Sequence, residues 1–143
     1  MWKYLTIALL LCAGCGKAGN DVTTTTPSQE YVARCRAEMY IRDDVDIHPK
    51  GFKLITGMDD AIWFKFVTKA ENILDVFDDE KVDTSKFSSG FKIDNASMPT
   101  WWDVNGRKLL GGQIQLPQGR AMNVGSLKNG DETLTVYVMW FET

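Results

Sequence analysis

The residues best suited to nucleophilic catalysis are Cys35 and the single histidine, His48. A thiol becomes a catalytic nucleophile when a neighbouring base withdraws its proton. Cys35 lies on the apolar side of its segment whether that segment is taken as a strand or as a helix, and a buried thiol behaves as a small hydrophobic side chain. We therefore expect Cys35 to be structural and predict no catalytic residues. The sequence also lacks a phosphate-binding Gly-rich loop and a Gly-x-Ser-x-Gly elbow.

Acidic residues are the next candidates, as metal ligands or as general acids and bases. The run Asp43-Asp44-Val45-Asp46 with His48 offers oxygen ligands, but it lacks the Gly and the distal Glu of an EF-hand. Zinc requires several converging Cys, His or carboxylate ligands, and the sequence is poor in the first two. Adjacent carboxylates such as Asp59-Asp60 diverge on a strand or a helix, so they form no acid–base pair alone. We predict no metal and no cofactor.

Two adjacent tryptophans, Trp101 and Trp102, are the most suggestive feature for binding, and Asp103 and Arg107 follow them closely. Neighbouring side chains cannot both face one core equally. One ring would then belong to the core and the other would be partly exposed. Trp and Arg are enriched at the dominant positions of protein interfaces, so these four residues are our candidate partner surface. The alternative is that both rings pack around a corner of the core.

The first fifteen residues indicate where the protein works. Lys3 and the amino terminus are positive, residues 5–11 form an apolar run, and Ala13-Gly14-Cys15 follows. A permanent membrane span needs about 20 apolar residues, and this run is shorter. The pattern is typical of a secretion signal that is removed from the mature protein.

The segment Leu11-Cys12-Ala13-Gly14-Cys15 resembles the lipobox of bacterial lipoproteins, with Cys12 where that family usually has Leu. The resemblance implies that residues 1–14 are a signal peptide and that Cys15 carries the acyl chains of a membrane anchor. Gly16 follows the cysteine, where Asp would favour retention at the inner membrane. In a host with two membranes, the resemblance therefore implies the outer membrane, with the protein facing the periplasm.

Composition limits the remaining possibilities. The formal net charge is −3 and becomes one unit more negative when Lys3 is removed, so we expect no nucleic-acid partner. Cys35 would be the only unmodified cysteine left, and no intramolecular disulfide is then possible. Residues 16–29 are polar and predict, together with Cys15, a lipidated flexible linker over 15–29. One globular domain follows over 30–143.

Local patterns predict most elements of that domain. Residues 31–42 alternate with a period of two and predict a strand, although a helical stripe is also present. Residues 52–55 and 61–69 predict two further strands. Thr68 and Glu71 match a capping box and predict a helix through residue 77. Asn129-Gly130 predicts a hairpin between residues 120–127 and 133–141.

The last of these strands is apolar on both faces, which predicts a central strand covered on each side. The elements together predict an α+β single domain, an antiparallel sheet with one principal helix packed on one face. Residues 47–77 and Pro99-Thr100-Trp101-Trp102-Asp103 faintly resemble small envelope lipoproteins of unassigned role. This second resemblance implies no activity.

These observations lead to one main hypothesis of function and to several rival hypotheses. The main hypothesis is a lipid-anchored envelope protein that binds another protein and is not an enzyme. A narrower version is an immunity or inhibitor lipoprotein that neutralises a periplasmic toxin or hydrolase. The rivals are a carrier of a small apolar ligand and an enzyme acting on cell-wall glycan.

Overall fold

Seven strands form one antiparallel sheet, which the computed structural model describes over residues 21–143. The spatial order is β1-β2-β3-β7-β6-β5-β4. The strands are β1 (Val22–Thr24), β2 (His48–Ile55), β3 (Ala61–Thr68), β4 (Ser88–Phe91), β5 (Leu109–Leu116), β6 (Arg120–Lys128) and β7 (Leu134–Glu142). The α-helix is α1 (Gln29–Glu38). The predicted single domain with an antiparallel sheet and one helix is confirmed at this level, with the sheet dominating.

The prediction of a strand over residues 31–42 is wrong, because α1 occupies most of that range. The Ser28 side chain accepts a hydrogen bond from the Tyr31 amide and caps the first turn. Tyr40 has a positive φ of 54°, and the Ile41 amide donates to the Arg36 carbonyl, which closes the helix with a Schellman motif. Both ends of the helix are therefore closed by hydrogen bonds, which the alternating pattern does not reveal.

The predicted helix over residues 71–77 is also wrong. Thr68 is the last residue of β3, and its hydroxyl donates to Asp46 Oδ1 at 3.1 Å instead of capping a helix. One 3₁₀ turn, Ile73–Asp75, follows, and the Asn72 side chain caps it. Most of the apolar residues of this segment are still buried in the core. Their helix-like spacing therefore reflects burial, although no long helix forms.

The sheet begins before the predicted domain boundary at residue 30. Val22 pairs with Leu54 and Thr24 pairs with Phe52, so β1 extends the edge of the sheet. The prediction of a flexible linker as far as residue 29 is therefore wrong for residues 22–24. Backbone pairing with β2 and the packing of Val22 against the core order this segment, and a composition argument does not detect such pairing.

One face of the sheet packs beneath α1 and the segment that follows β3. The Tyr31 ring stacks on Phe52 with centroids 4.7 Å apart, and Cys35 and Met39 are fully buried in the same cluster. Strands β3 and β7 supply the centre of this core with Ile62, Phe64, Phe66, Val136, Val138 and Trp140. Helix α1 therefore packs on this face of the sheet, which contributes to the larger of the two cores.

The other face is covered by residues 92–108, the connection between β4 and β5. Trp63 and Tyr137 project from the sheet into a second cluster, which Trp102, Val104 and Ile93 cover. The predicted C-terminal hairpin is confirmed as β6 and β7, and β7 lies in the middle of the sheet between β3 and β6. Its two apolar faces are buried in the two separate clusters, as its pattern predicts.

Candidate functional site

The candidate surface is carried by residues 92–108, which fold over the second face of the sheet. The Trp102 amide donates a hydrogen bond to the Pro99 carbonyl at 3.0 Å and closes a tight turn. In this turn the side chains of the two tryptophans point in different directions. Their rings meet edge to face, with centroids 6.0 Å apart and planes at 85°. The structure thus separates the roles of the adjacent rings.

Trp102 belongs to the core. Its side chain is 3% exposed and meets the Tyr137 ring edge to face, with centroids 5.6 Å apart. Such pairs are favourable beyond the apolar area that they bury. Trp102 is therefore unavailable to a partner, and of the two tryptophans only Trp101 can serve the candidate surface.

Trp101 is partly exposed, and its ring lies over Gly51 of β2. A Cβ atom built on Gly51 would overlap the ring carbons of Trp101, so the indole occupies the space that any larger residue would fill. Gly51 also sits at a register shift between β2 and β3, where the strand accommodates a bulge. The ring is consequently held in place by the sheet beneath it.

Asp103 joins this segment to the sheet through polar contacts. Its Oδ1 accepts hydrogen bonds from the Tyr137 hydroxyl at 2.7 Å and from Lys65 Nζ at 3.0 Å. Burial favours the neutral acid, but the hydrogen bonds from Tyr137 and Lys65 outweigh it and hold the pKa of Asp103 below its usual range. Burial and the same carboxylate raise the pKa of Tyr137 well above its ordinary value. Asp103 therefore remains an anion that fixes the segment.

Arg107 lies at the exposed side of this cluster. Its guanidinium is 3.9 Å from Asp103 Oδ2, and its side chain is 48% exposed. An exposed ion pair of this length adds little stability, so its charge remains free to meet a partner. The structure thus pairs Arg107 with Asp103 and leaves Trp101 of the same segment partly exposed, whereas Trp102 is buried.

Three participants were missed by sequence reasoning: Gly51, Lys65 and Tyr137. The register places Gly51 opposite Lys65 and Lys65 opposite Tyr137, in a row across three strands. Side chains alternate between the two faces of a strand, and this alternation places Lys65 on the face of β3 opposite its apolar residues. This is the one sequence signal that indicates where Lys65 lies. The cross-strand register itself was not specified by any local pattern.

The alternative catalytic pair is not assembled. Cys35 is fully buried, as predicted, and burial raises the pKa of its thiol to about 12. The His48 ring is 61% exposed and lies 3.1 Å from Asp46 Oδ2. Thiolate chemistry requires an accessible sulfur with a lowered pKa, and Cys35 has neither property.

The acidic run 43–46 has structural partners. Asp44 pairs with Arg42 at 2.7 Å, and Asp46 accepts hydrogen bonds from Thr68 and the Lys69 amide. These bonds join the run to the end of β3. Within residues 21–143, no group of three or more His, Cys, Asp or Glu side chains is placed to hold a metal ion.

Comparison of the chain with known protein families, characterised proteins and solved structures gives no match. The part of the chain that the structure describes contains no helix long and apolar enough to cross a membrane. The signal peptide predicted over residues 1–14 and the lipidation site predicted at Cys15 lie outside the described residues.

Proposed function

We propose that this protein is a lipid-anchored component of the bacterial cell envelope that binds another protein and is not an enzyme. The Ala13-Gly14-Cys15 pattern supports the anchor, and Gly16 after the cysteine supports a periplasmic position at the outer membrane of a host with two membranes. The observation that carries the binding role is the partly exposed Trp101 ring, which lies over Gly51 in the same segment as the Asp103–Arg107 ion pair.

This arrangement has the properties of an interface anchor. A ring that is already held in position loses little conformational freedom when a partner covers it, so more of the contact energy remains for affinity. Trp and Arg are enriched at the positions that dominate protein interfaces. Asp103 and Arg107 supply opposite charges at the rim, and these select partners by charge complementarity.

The grooves on the protein surface support the carrier hypothesis less well than the exposed tryptophan supports protein binding. A groove of about 610 Å³ lies beside α1 and is lined by residues such as Val32, Ala33 and Pro49. It is open to solvent, whereas sites for small apolar ligands enclose most of the ligand surface. The immunity or inhibitor role remains a narrower form of the main proposal, since it uses the same kind of surface.

Two substitutions test the proposal. Cys15→Ser should abolish incorporation of a clickable fatty acid and release the protein from the membrane fraction. Trp101→Ala should abolish a specific crosslink formed in intact cells, and Lys128→Ala, an exposed change at the end of β6, should preserve it. Circular dichroism should show that all variants are folded. Undiminished label on Cys15→Ser would refute the anchor, and an unchanged crosslink in Trp101→Ala would refute the binding surface.

A further inference from the structure

Strand β1 connects the predicted anchor to one defined end of the sheet. The first described residue, Asp21, accepts a hydrogen bond from the Thr56 amide at 3.3 Å, and Val22 pairs with Leu54. The chain therefore joins the domain where β2 ends and the loop 56–60 begins. We call this end of the sheet the tether rim.

The tether rim is a continuous edge. The pairing of Ile55 with Ala61, and of Ala61 with Phe141, places the ends of β2, β3 and β7 side by side. The Glu142 amide donates to the Asp60 carbonyl at 3.2 Å, and the Thr143 amide donates to the Gly119 carbonyl at 2.8 Å. Loop 56–60, turn 117–119 and the end of β7 consequently form one rigid border.

The opposite end of the sheet is the hairpin rim, formed by loop 129–133 between β6 and β7. Strand β7 has nine residues and runs from one rim to the other. At about 3.4 Å per residue, the rims are separated by roughly 25–30 Å. Gly130 lies at the hairpin rim, and the fully exposed Met58 lies at the tether rim.

Chain length limits how far the tether rim can lie from the lipid. Only six peptide units separate Cys15 from Asp21. Even a fully extended chain spans no more than about 20 Å over that length. This limit is shorter than the separation of the two rims. If β1 were a free linker, the tether would be longer and the domain would rotate freely.

We infer that the pairing of β1 with β2 orients the domain. The tether rim, which carries Met58, then faces the lipid surface, and the hairpin rim, which carries Gly130, faces the envelope interior. The inference rests on the lipid anchor of the proposed function. In this orientation the sheet stands on its end, and the Trp101 surface faces sideways, where a neighbouring protein has access to it. The partner of the tether rim is the bilayer surface itself.

Energy transfer from the protein to the membrane surface tests the orientation. Full-length Met58→Cys and Gly130→Cys are produced in cells, purified with their lipid, labelled with a maleimide donor dye and reconstituted in phosphatidylcholine vesicles containing a headgroup-labelled acceptor lipid. The unsubstituted protein is the labelling control and should take up no dye, because Cys35 is buried. The Met58 dye should lie about 20 Å closer to the acceptor plane than the Gly130 dye.

A longer tether provides the matched control. Inserting about twelve Gly and Ser residues between Asn20 and Asp21 should remove most of the difference, because the lengthened tether can extend to about 60 Å, which exceeds the separation of the two rims. Equal transfer from the two dyes without the insertion, or an unchanged difference with it, would overturn the inference. Absence of acyl chains by mass spectrometry of the same sample would overturn the proposed anchor and the inference with it. Acylated protein with equal transfer would overturn the inference alone.

Discussion

Asp103 shows how one side chain connects the candidate surface to the sheet. It accepts hydrogen bonds from Lys65 and Tyr137, which lie opposite each other on β3 and β7. Removing the negative charge would leave Lys65 without its counter-ion and the Tyr137 hydroxyl without a charged acceptor. The residue is therefore expected to support the position of Trp101 and Trp102 as well as to carry charge at the surface.

This role predicts a pH-dependent effect of Asp103→Asn. The folded-state pKa of Asp103 lies below its unfolded value of about 3.9, so the ionised group stabilises the fold above that pH. This contribution is lost as the pH falls through the folded-state pKa. Denaturant unfolding should show the Asp103→Asn variant less stable than the wild type at about pH 7, with the difference shrinking as the pH falls through the folded-state pKa of Asp103.

The matched control for that experiment is Asp59→Asn, which changes an exposed carboxylate in loop 56–60. It should follow the wild type at every pH, because surface changes without partners alter stability little. A stability difference for Asp103→Asn that stays constant from neutral to strongly acid solution would contradict the assignment of a charged, hydrogen-bonded Asp103.

At the scale of elements, the bulge of β2 and the segment 92–108 depend on each other. Gly51 leaves room for the Trp101 ring, and the register between β2 and β3 shifts at this point. The covering segment could not lie as close to the sheet over a residue with a side chain. A local irregularity in one strand thus decides how the candidate surface is presented.

Gly51→Ala should displace Trp101 and destabilise the protein by about 1–3 kcal/mol, the usual range for overpacking. Trp101→Ala should remove most of that penalty in the double variant, because the two groups compete for one space. Gly130→Ala is the control, since nothing lies within 4 Å of its added Cβ. Chemical denaturation measures the wild type and these four variants, and strict additivity of the Gly51 and Trp101 changes would contradict the contact.

At the scale of the whole molecule, the two cores share the same central strands. Phe64 projects from β3 into the core beneath α1, and its neighbour Trp63 projects into the core beneath residues 92–108. Val136 and Tyr137 divide in the same way on β7. Because the same two strands contribute side chains to both cores, disruption of one core should also disrupt the other.

We therefore predict one cooperative unfolding transition for the domain. Phe64→Ala and Trp102→Ala, one in each core, should each cost about 3–5 kcal/mol, the range for truncating a buried aromatic residue. Tryptophan fluorescence and far-ultraviolet circular dichroism should report the same midpoint in each variant. Separate transitions for the two probes, or loss of one core with the other retained, would show that the faces unfold independently.

The sequence by itself determined the features that depend on local chemistry. The two-faced apolar pattern of β7 identified a central strand, and Asn129-Gly130 located the hairpin that precedes it. The burial of Cys35 followed from the apolar side of its segment under either secondary structure. The pattern at residues 13–15 predicts the anchor, which remains a prediction for the Cys15 experiment.

Only the tertiary structure decided the features that depend on distant partners. Residues 31–42 carry both strand and helix periods, and the packing of Cys35 and Met39 on the sheet favours the helix. Strand β1 exists because β2 offers it an edge, which its own polar residues do not indicate. Trp102 rather than Trp101 is buried because Gly51 and Tyr137, far away in the sequence, provide different surfaces beneath the two rings. Cross-strand register brings these residues together, and local sequence patterns do not encode that register.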